Sequence, residues 1–212
     1  ILQFANITHL INYGGLIKNR DFDALALNEH SLETSKHCDV KSIIGNIFKY
    51  DLSGLDEDKI ANVGGTGLIT RGPKHIIKPK AIHPELNELI GKGRVGIYII
   101  EPIKKVHVII YVVYGWTNGE TNKEAAGMTN ELLSLIIQDS QMQVEGPKLI
   151  VTDLNCTPSK IPALQHAIEQ EGWKDVGTIN TLCDGEINQN TCKATTISKE
   201  TRRDYIFANS KC

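Results

Sequence analysis

The sequence predicts one α/β domain in which two β-sheets pack face to face with helices on the outside. Three observations predict it. Two apolar runs, residues 94–101 and 106–114, flank Pro102-Ile103-Lys104-Lys105 and read as an antiparallel hairpin. Residues 121–142 carry Met128, Leu132, Leu135 and Ile136 on one stripe, the pattern of a long amphipathic helix. Residues 1–29 read as strand, short helix, strand, with room for a crossover. Hairpins mixed with long helices argue against a doubly wound parallel sheet.

The elements follow in order. Residues 1–7 form a strand that ends at Asn6, and residues 8–20 hold a short helix weakened by Gly14-Gly15. Residues 23–29 form a second strand ending at Glu29. Residues 31–62 are charged and without clear period, and read as loop with fragments of structure. Residues 67–71 form a strand. The run 106–114 is almost wholly apolar and reads as a central strand ending at Tyr114. Residues 148–152 make a short buried strand before Asp153. Ile161, Leu164 and Ile168 line a second amphipathic helix, with Thr157, Pro158 and Ser159 as its start signals. Short strands are expected at 176–179, 194–197 and 204–208.

Composition narrows the class. With 212 residues and 41% hydrophobic content, the chain can bury a sizeable core. A net charge of −2 argues against holding nucleic acid by bulk charge. Five cysteines (Cys38, Cys156, Cys183, Cys192 and Cys212), with no C-x-x-C, argue against a zinc site or a disulfide framework and read as reduced thiols in an intracellular protein. No stretch reaches the length of a membrane span, and no signal peptide opens the chain. Both ends read as cut from something longer.

The clue to function is the placement of polar residues. Asn6, Glu29, Asp153 and Asp204 each lie at the end of an apolar run, and Tyr114 and Asn155 share the pattern. Such runs read as buried strands delivering side chains to a sheet rim. Carboxylate and amide oxygens gathered at a rim suit a hard cation such as magnesium, and a magnesium site suits phosphate-ester chemistry. Taken alone, Thr152-Asp153-Leu154-Asn155 is more often a turn capping a helix.

The order of the motifs resembles the endonuclease/exonuclease/phosphatase family, which includes deoxyribonuclease I, abasic-site endonucleases and the endonuclease domains of non-LTR retrotransposons. Phe4-Ala5-Asn6-Ile7 is similar to that family's first strand, and Ala26-Leu27-Asn28-Glu29-His30 to its L-Q-E motif. Gly64-Gly65-Thr66-Gly67-Leu68-Ile69 resembles G-G-V-A-I, and Val113-Tyr114-Gly115-Trp116-Thr117-Asn118 resembles V-Y-A-P-N. Thr152-Asp153-Leu154-Asn155 resembles G-D-F-N, and Arg202-Arg203-Asp204-Tyr205-Ile206 resembles S-R-I-D-Y-I.

The resemblance implies a four-layer α/β/β/α sandwich over residues 1–212, and roles by residue. Glu29 would bind magnesium, or manganese in its place, with Asn6 nearby. Asp153 would orient or deprotonate the attacking water, Asn155 and Tyr114 would hold the phosphoryl oxygens, and Asp204 would hold a histidine. Beside the resemblance, Arg71 with Lys74, Lys78 and Lys80 forms a loose basic run that reads as a solvated loop or as a DNA-backbone contact, Trp116 either stacks on bases or packs into the core, and Asn118 is expected at the substrate. The subclass expected is the endonuclease of a retroelement polyprotein, a monomeric domain acting on DNA in the nucleus beside a fused reverse transcriptase. The substrate alternative on the same fold is a phosphoinositide or sphingomyelin phosphoesterase. A degenerate, non-catalytic remnant that binds DNA or a partner is the third reading.

The departures are also legible. The family's final S-D-H motif is absent, so its last strand and histidine are expected to be missing. None of the seven histidines follows Asp204. His166 is expected on a helix surface and His107 within a strand. Thr8, Asn28, Thr152 and Trp116 replace the family's usual residues. Gly64-Gly65-Thr66-Gly67 lacks a following Lys-Ser/Thr and reads as a turn into a strand rather than a phosphate loop. The sequons at Asn6 and Asn155 overlap the expected site and read as chance matches.

Overall fold

The computed structural model describes residues 1–7, 10–55, 64–72, 75–179, 187–192 and 200–212. Thr8, His9, Lys74, Cys183 and the strand expected at 194–197 lie outside them. The chain divides into two compact units, Ile1–Tyr114 and Gly115–Cys212.

The first unit is built on a four-stranded sheet of β1 (Leu2–Asn6), β2 (Ala24–Asn28), β3 (Phe48–Leu52) and β4 (Thr66–Arg71), in the order β1-β2-β4-β3. β1 and β2 are parallel, joined through helix α1 (Leu10–Lys18); the other pairs are antiparallel. Every residue of β2 is buried, so both faces of this strand are covered. On one face Leu25 and Leu27 meet Leu10 and Ile17 of α1, Val40 and Ile44 of helix α2 (His37–Ile44), and Phe48 and Ile69 of neighbouring strands. Gly14-Gly15 does not break α1. A side-chain carbon on Gly14 would come 2.3 Å from Ile43, so glycine is what lets α1 close on α2.

The other face meets the hairpin β5 (Val95–Ile103) and β6 (Val106–Tyr114), which follows helix α3 (Pro84–Gly91). Within β6 the buried part runs from Ile109 to Tyr114, whereas Val106 and His107 are exposed. The buried Asn28 amide donates to the Val113 carbonyl at 2.7 Å and ties the sheet to the hairpin. Two elements give the expected fragments of structure within 31–62 their identity, namely α2 and β3. α2 is only eight residues long, and β3 alternates Phe48, Tyr50 and Leu52 with Lys49 and Asp51, so both signals are short and diluted by charge.

The second unit carries helix α4 (Lys123–Met142), strand β7 (Lys148–Asp153), helix α5 (Pro162–Gln170), and strands β8 (Lys174–Asp175) and β9 (Asp204–Ala208). β9 pairs antiparallel with both β7 and β8. The Asn122 side chain caps α4, accepting from the Glu124 and Ala125 amides at 2.9 and 3.3 Å. The buried face of α4 is Ala125, Thr129, Leu132, Leu133, Ile136 and Ile137; Met128 and Leu135 of the expected stripe are only half-buried. Pro158 opens a 3-10 turn, Pro158–Lys160, and α5 itself starts at Pro162.

The strand expected at 176–179 is instead a 3-10 turn, Val176–Thr178, capped where the Asp175 carboxylate accepts from the Gly177 amide at 2.9 Å. Asp175 also receives both guanidinium nitrogens of Arg202, at 2.7 and 2.6 Å, and Arg202 lies over the Tyr205 ring at 4.3 Å. The two side chains are 13% and 14% exposed. Removing one partner of such a pair leaves a charge out of water and unmatched. Arg202→Ala is therefore expected to cost about 3–5 kcal/mol in urea unfolding, with Arg202→Lys losing less because the charge survives without the fork.

Among the described residues no helix is long and apolar enough to cross a membrane.

Candidate active site

In the first unit, strand direction decides which residues share a rim. β1 and β2 run in parallel with Asn6 opposite Asn28, so Asn6 and Glu29 leave the sheet at the same edge. β4 is antiparallel to β2, with Thr66 opposite Asn28 and Thr70 opposite Ala24. Gly64 and Gly65 therefore lie at the Glu29 edge, while Arg71 lies at the far one. Arg71, expected at the substrate, holds its guanidinium over the Phe22 and Phe48 rings at 5.6 and 5.4 Å and donates to the Arg20 carbonyl. Lys78 of the same basic run pairs with Asp51 at 2.7 Å.

Glu29 adopts a positive φ of 56°, as does Ser31 at 53°. The local backbone is fixed by the glycine pair: the Glu29 amide donates to the Gly65 carbonyl at 2.9 Å and the Ser31 amide to the Gly64 carbonyl at 3.1 Å. The conformation is one that non-glycine residues adopt at a cost, and the surrounding hydrogen bonds hold it. At Gly65, with φ +91°, a side-chain carbon would fall 2.3 Å from the His30 ring. The Gly64-Gly65 turn thus shapes the end of β2 as well as starting β4.

Tyr114, fully buried at the end of β6, donates its hydroxyl to the Glu29 carboxylate at Oε1. This contact joins two residues singled out from sequence. Arg94, 2% exposed, places its guanidinium 5.0 Å from the Tyr114 ring, and its carbonyl accepts the Tyr114 amide at 2.9 Å. The sequence places Arg94 at the start of the run 94–101, and a charged residue at a strand end normally reads as solvated.

His30 is buried, and its Nδ1 accepts from the Leu32 amide at 3.1 Å, which leaves the proton on Nε2. Burial, helped by the neighbouring His37, lowers its pKa to about 4, so it is neutral near pH 7.

The second unit gathers its own set. β7 and β9 place Asp153 directly opposite Asp204. Asp153 is 4% exposed and accepts at Oδ1 from the Asn155 amide at 3.0 Å. Asn155 turns the chain with φ 55°, and its side-chain amide reaches the Gly115 carbonyl at 3.4 Å. Arg203 donates to Asn155 Oδ1 at 3.5 Å, a contact sequence reasoning did not assign. Gly115 donates to the Asp153 carbonyl at 2.8 Å, and a side-chain carbon there would meet the Leu154 carbonyl at 2.7 Å.

Trp116 is half-buried, its amide donating to Thr129 at 3.0 Å. Asn118, exposed at φ 65°, accepts at its carbonyl from Thr121 and Asn122 and starts the turn into α4. The Cys156 thiol is pushed up to about 11, chiefly by burial, and is no nucleophile. His166 is exposed on α5, beside Glu171 at 3.8 Å.

Among the described residues no three His, Cys, Asp or Glu side chains stand together as a metal cage. Magnesium does not require one. It keeps several waters and takes one or two carboxylates.

No family model and no curated protein matches this chain by sequence. Solved structures do match. The 3′ phosphatase NExo from Neisseria, bound to a product DNA hairpin, is 13% identical with a TM-score of 0.71, over 99% of this chain and 86% of that one. An AP endonuclease from Archaeoglobus fulgidus is 14% identical with a TM-score of 0.69, over 98% and 86%. The APE2 catalytic domain from Xenopus laevis is 17% identical with a TM-score of 0.67, over 99% and 82%. The fold is that of the deoxyribonuclease I-like endonuclease/exonuclease/phosphatase proteins: two mixed β-sheets flanked by helices. Its structural neighbours are nucleases and phosphatases.

Proposed function

We propose that this protein is a magnesium-dependent phosphodiester hydrolase that nicks DNA. The single observation carrying the proposal is the Tyr114 hydroxyl on the Glu29 carboxylate, at the rim where Asn6 also emerges. A buried phenol committed to a carboxylate at a strand end, itself in a costly backbone conformation, is the kind of investment functional sites make. Names of the structural neighbours support the substrate class, and one of them is bound to DNA.

In this reading Glu29 and Asn6 would hold a magnesium ion, which would supply Lewis-acid polarisation of a phosphoryl oxygen. Asp153 accepts the proton of the attacking water, with its carboxylate oriented by the Asn155 amide. Asn155 donates to a phosphoryl oxygen as negative charge builds there, and the Tyr114 hydroxyl, whose one proton lies on Glu29, reaches the phosphate by leaving that carboxylate. Asp204 orients the group that assists the water, and Trp116 and Asn118 contact DNA from the loop after Tyr114. By family analogy alone, the subclass proposed is the endonuclease domain of a retroelement polyprotein, working as a monomeric domain in the nucleus beside a reverse transcriptase.

The test is nicking of supercoiled plasmid at graded magnesium or manganese. Glu29→Gln keeps the size of the side chain and an oxygen for Tyr114, but removes the charge. It is expected to lower nicking by about 10²-fold or more at fixed magnesium. A Glu29→Gln, Asp153→Asn double variant should lose less than the product of the two single losses, because the residues serve one reaction. Wild-type protein that releases phosphate from inositol phosphates and leaves plasmid intact would overturn the substrate class.

A further inference from the structure

We infer that Arg94 is a positioning residue that sets the Tyr114 hydroxyl on Glu29. The inference rests on the proposed function for its importance, but on geometry for its content. Arg94 is 2% exposed, an unusual place for an arginine, since a guanidinium taken out of water must have its charge met. The Tyr114 ring is one of the groups that meet it, at 5.0 Å. A cation over an aromatic face is attracted by the ring quadrupole, and more strongly where water is excluded.

The contact fixes the ring as well as the charge. Rotation of a phenol about its first side-chain bond sweeps the hydroxyl by several ångströms. Here the ring is confined. The Arg94 guanidinium lies over it at 5.0 Å from its centre, the Arg94 carbonyl holds its backbone amide at 2.9 Å, and the residue is fully buried. The hydroxyl so placed donates to Glu29 Oε1. Arg94, Tyr114 and Glu29 thus form one chain of contacts, and Arg94 acts on the Glu29 carboxylate through Tyr114.

The test combines kinetics with a spectroscopic readout. Arg94→Met fills the space without the charge; should it fail to fold, Arg94→Gln takes its place with the same expectations. The Tyr114 ring signal in carbon-13 NMR of tyrosine-labelled protein, assigned by its loss in Tyr114→Phe, is expected to shift in Arg94→Met. Arg94→Lys, which keeps a cation, should restore it towards wild type. In plasmid nicking, Arg94→Met is expected to lower kcat about tenfold with KM little changed. In the Tyr114→Phe background it should cause no further loss. Multiplying losses, or an unmoved Tyr114 signal, would overturn the inference. Wild-type protein that cleaves no phosphodiester under any metal sinks the proposed function instead, and the NMR comparison still decides the placement of Tyr114 by Arg94.

Discussion

Asp153→Asn is expected to slow DNA nicking by about 10²–10⁴-fold, the range for losing a positioned general base. The substitution is chosen to spare the fold. Asp153 is 4% exposed and lies opposite Asp204 in the β7–β9 ladder, where backbone pairing is indifferent to the side chain. Its Oδ1 accepts from the Asn155 amide at 3.0 Å, and an asparagine oxygen can accept the same bond. What asparagine cannot do is take a proton from water. Thermal unfolding of the variant should therefore resemble wild type while the rate collapses. Nicking within tenfold of wild type would show that Asp153 is not the base, whatever its position in the motif.

Leu27→Ala is expected to lower stability by about 2–5 kcal/mol, read as a lower urea midpoint with little change in slope. Leu27 is fully buried on β2, among Leu10, Ile17, Val40, Ile44 and Leu52. Deleting its branched end removes apolar contacts and leaves a cavity between α1, α2 and the sheet, which backbone pairing on both sides of β2 prevents from closing. Leu27 also lies two residues before Glu29, so the variant should lose nicking activity at temperatures below its own midpoint. A loss under about 1 kcal/mol would mean that this cluster is not what holds the sheet to its helices.

The strand ends were the most readable part of the chain. Residues 204–208 were expected as a strand and form β9, and Asn6, Glu29, Tyr114 and Asp153 all fall at or next to strand ends. Long apolar runs stopped by one polar residue are a local signal, and local signals survive folding. α2 and β3 were legible only as fragments because each is short and carries charges on its open face. The turn at Val176–Thr178 was taken for a strand because Asp175 caps it through a side-chain bond that apolar patterning does not register.

Arg71 and Arg94 mark the division most clearly. Both are arginines at the end of a strand, and nothing in the local sequence separates them. The sequence by itself determined the fold class and which side chains cap the strands, because burial periodicity is written in neighbouring residues. Only the tertiary structure decided that β4 runs against β2, sending Arg71 to the edge away from Glu29, and that Arg94 folds under the Tyr114 ring. The physical reason is that strand direction and the partner of a buried charge are set by pairing between residues distant in the chain.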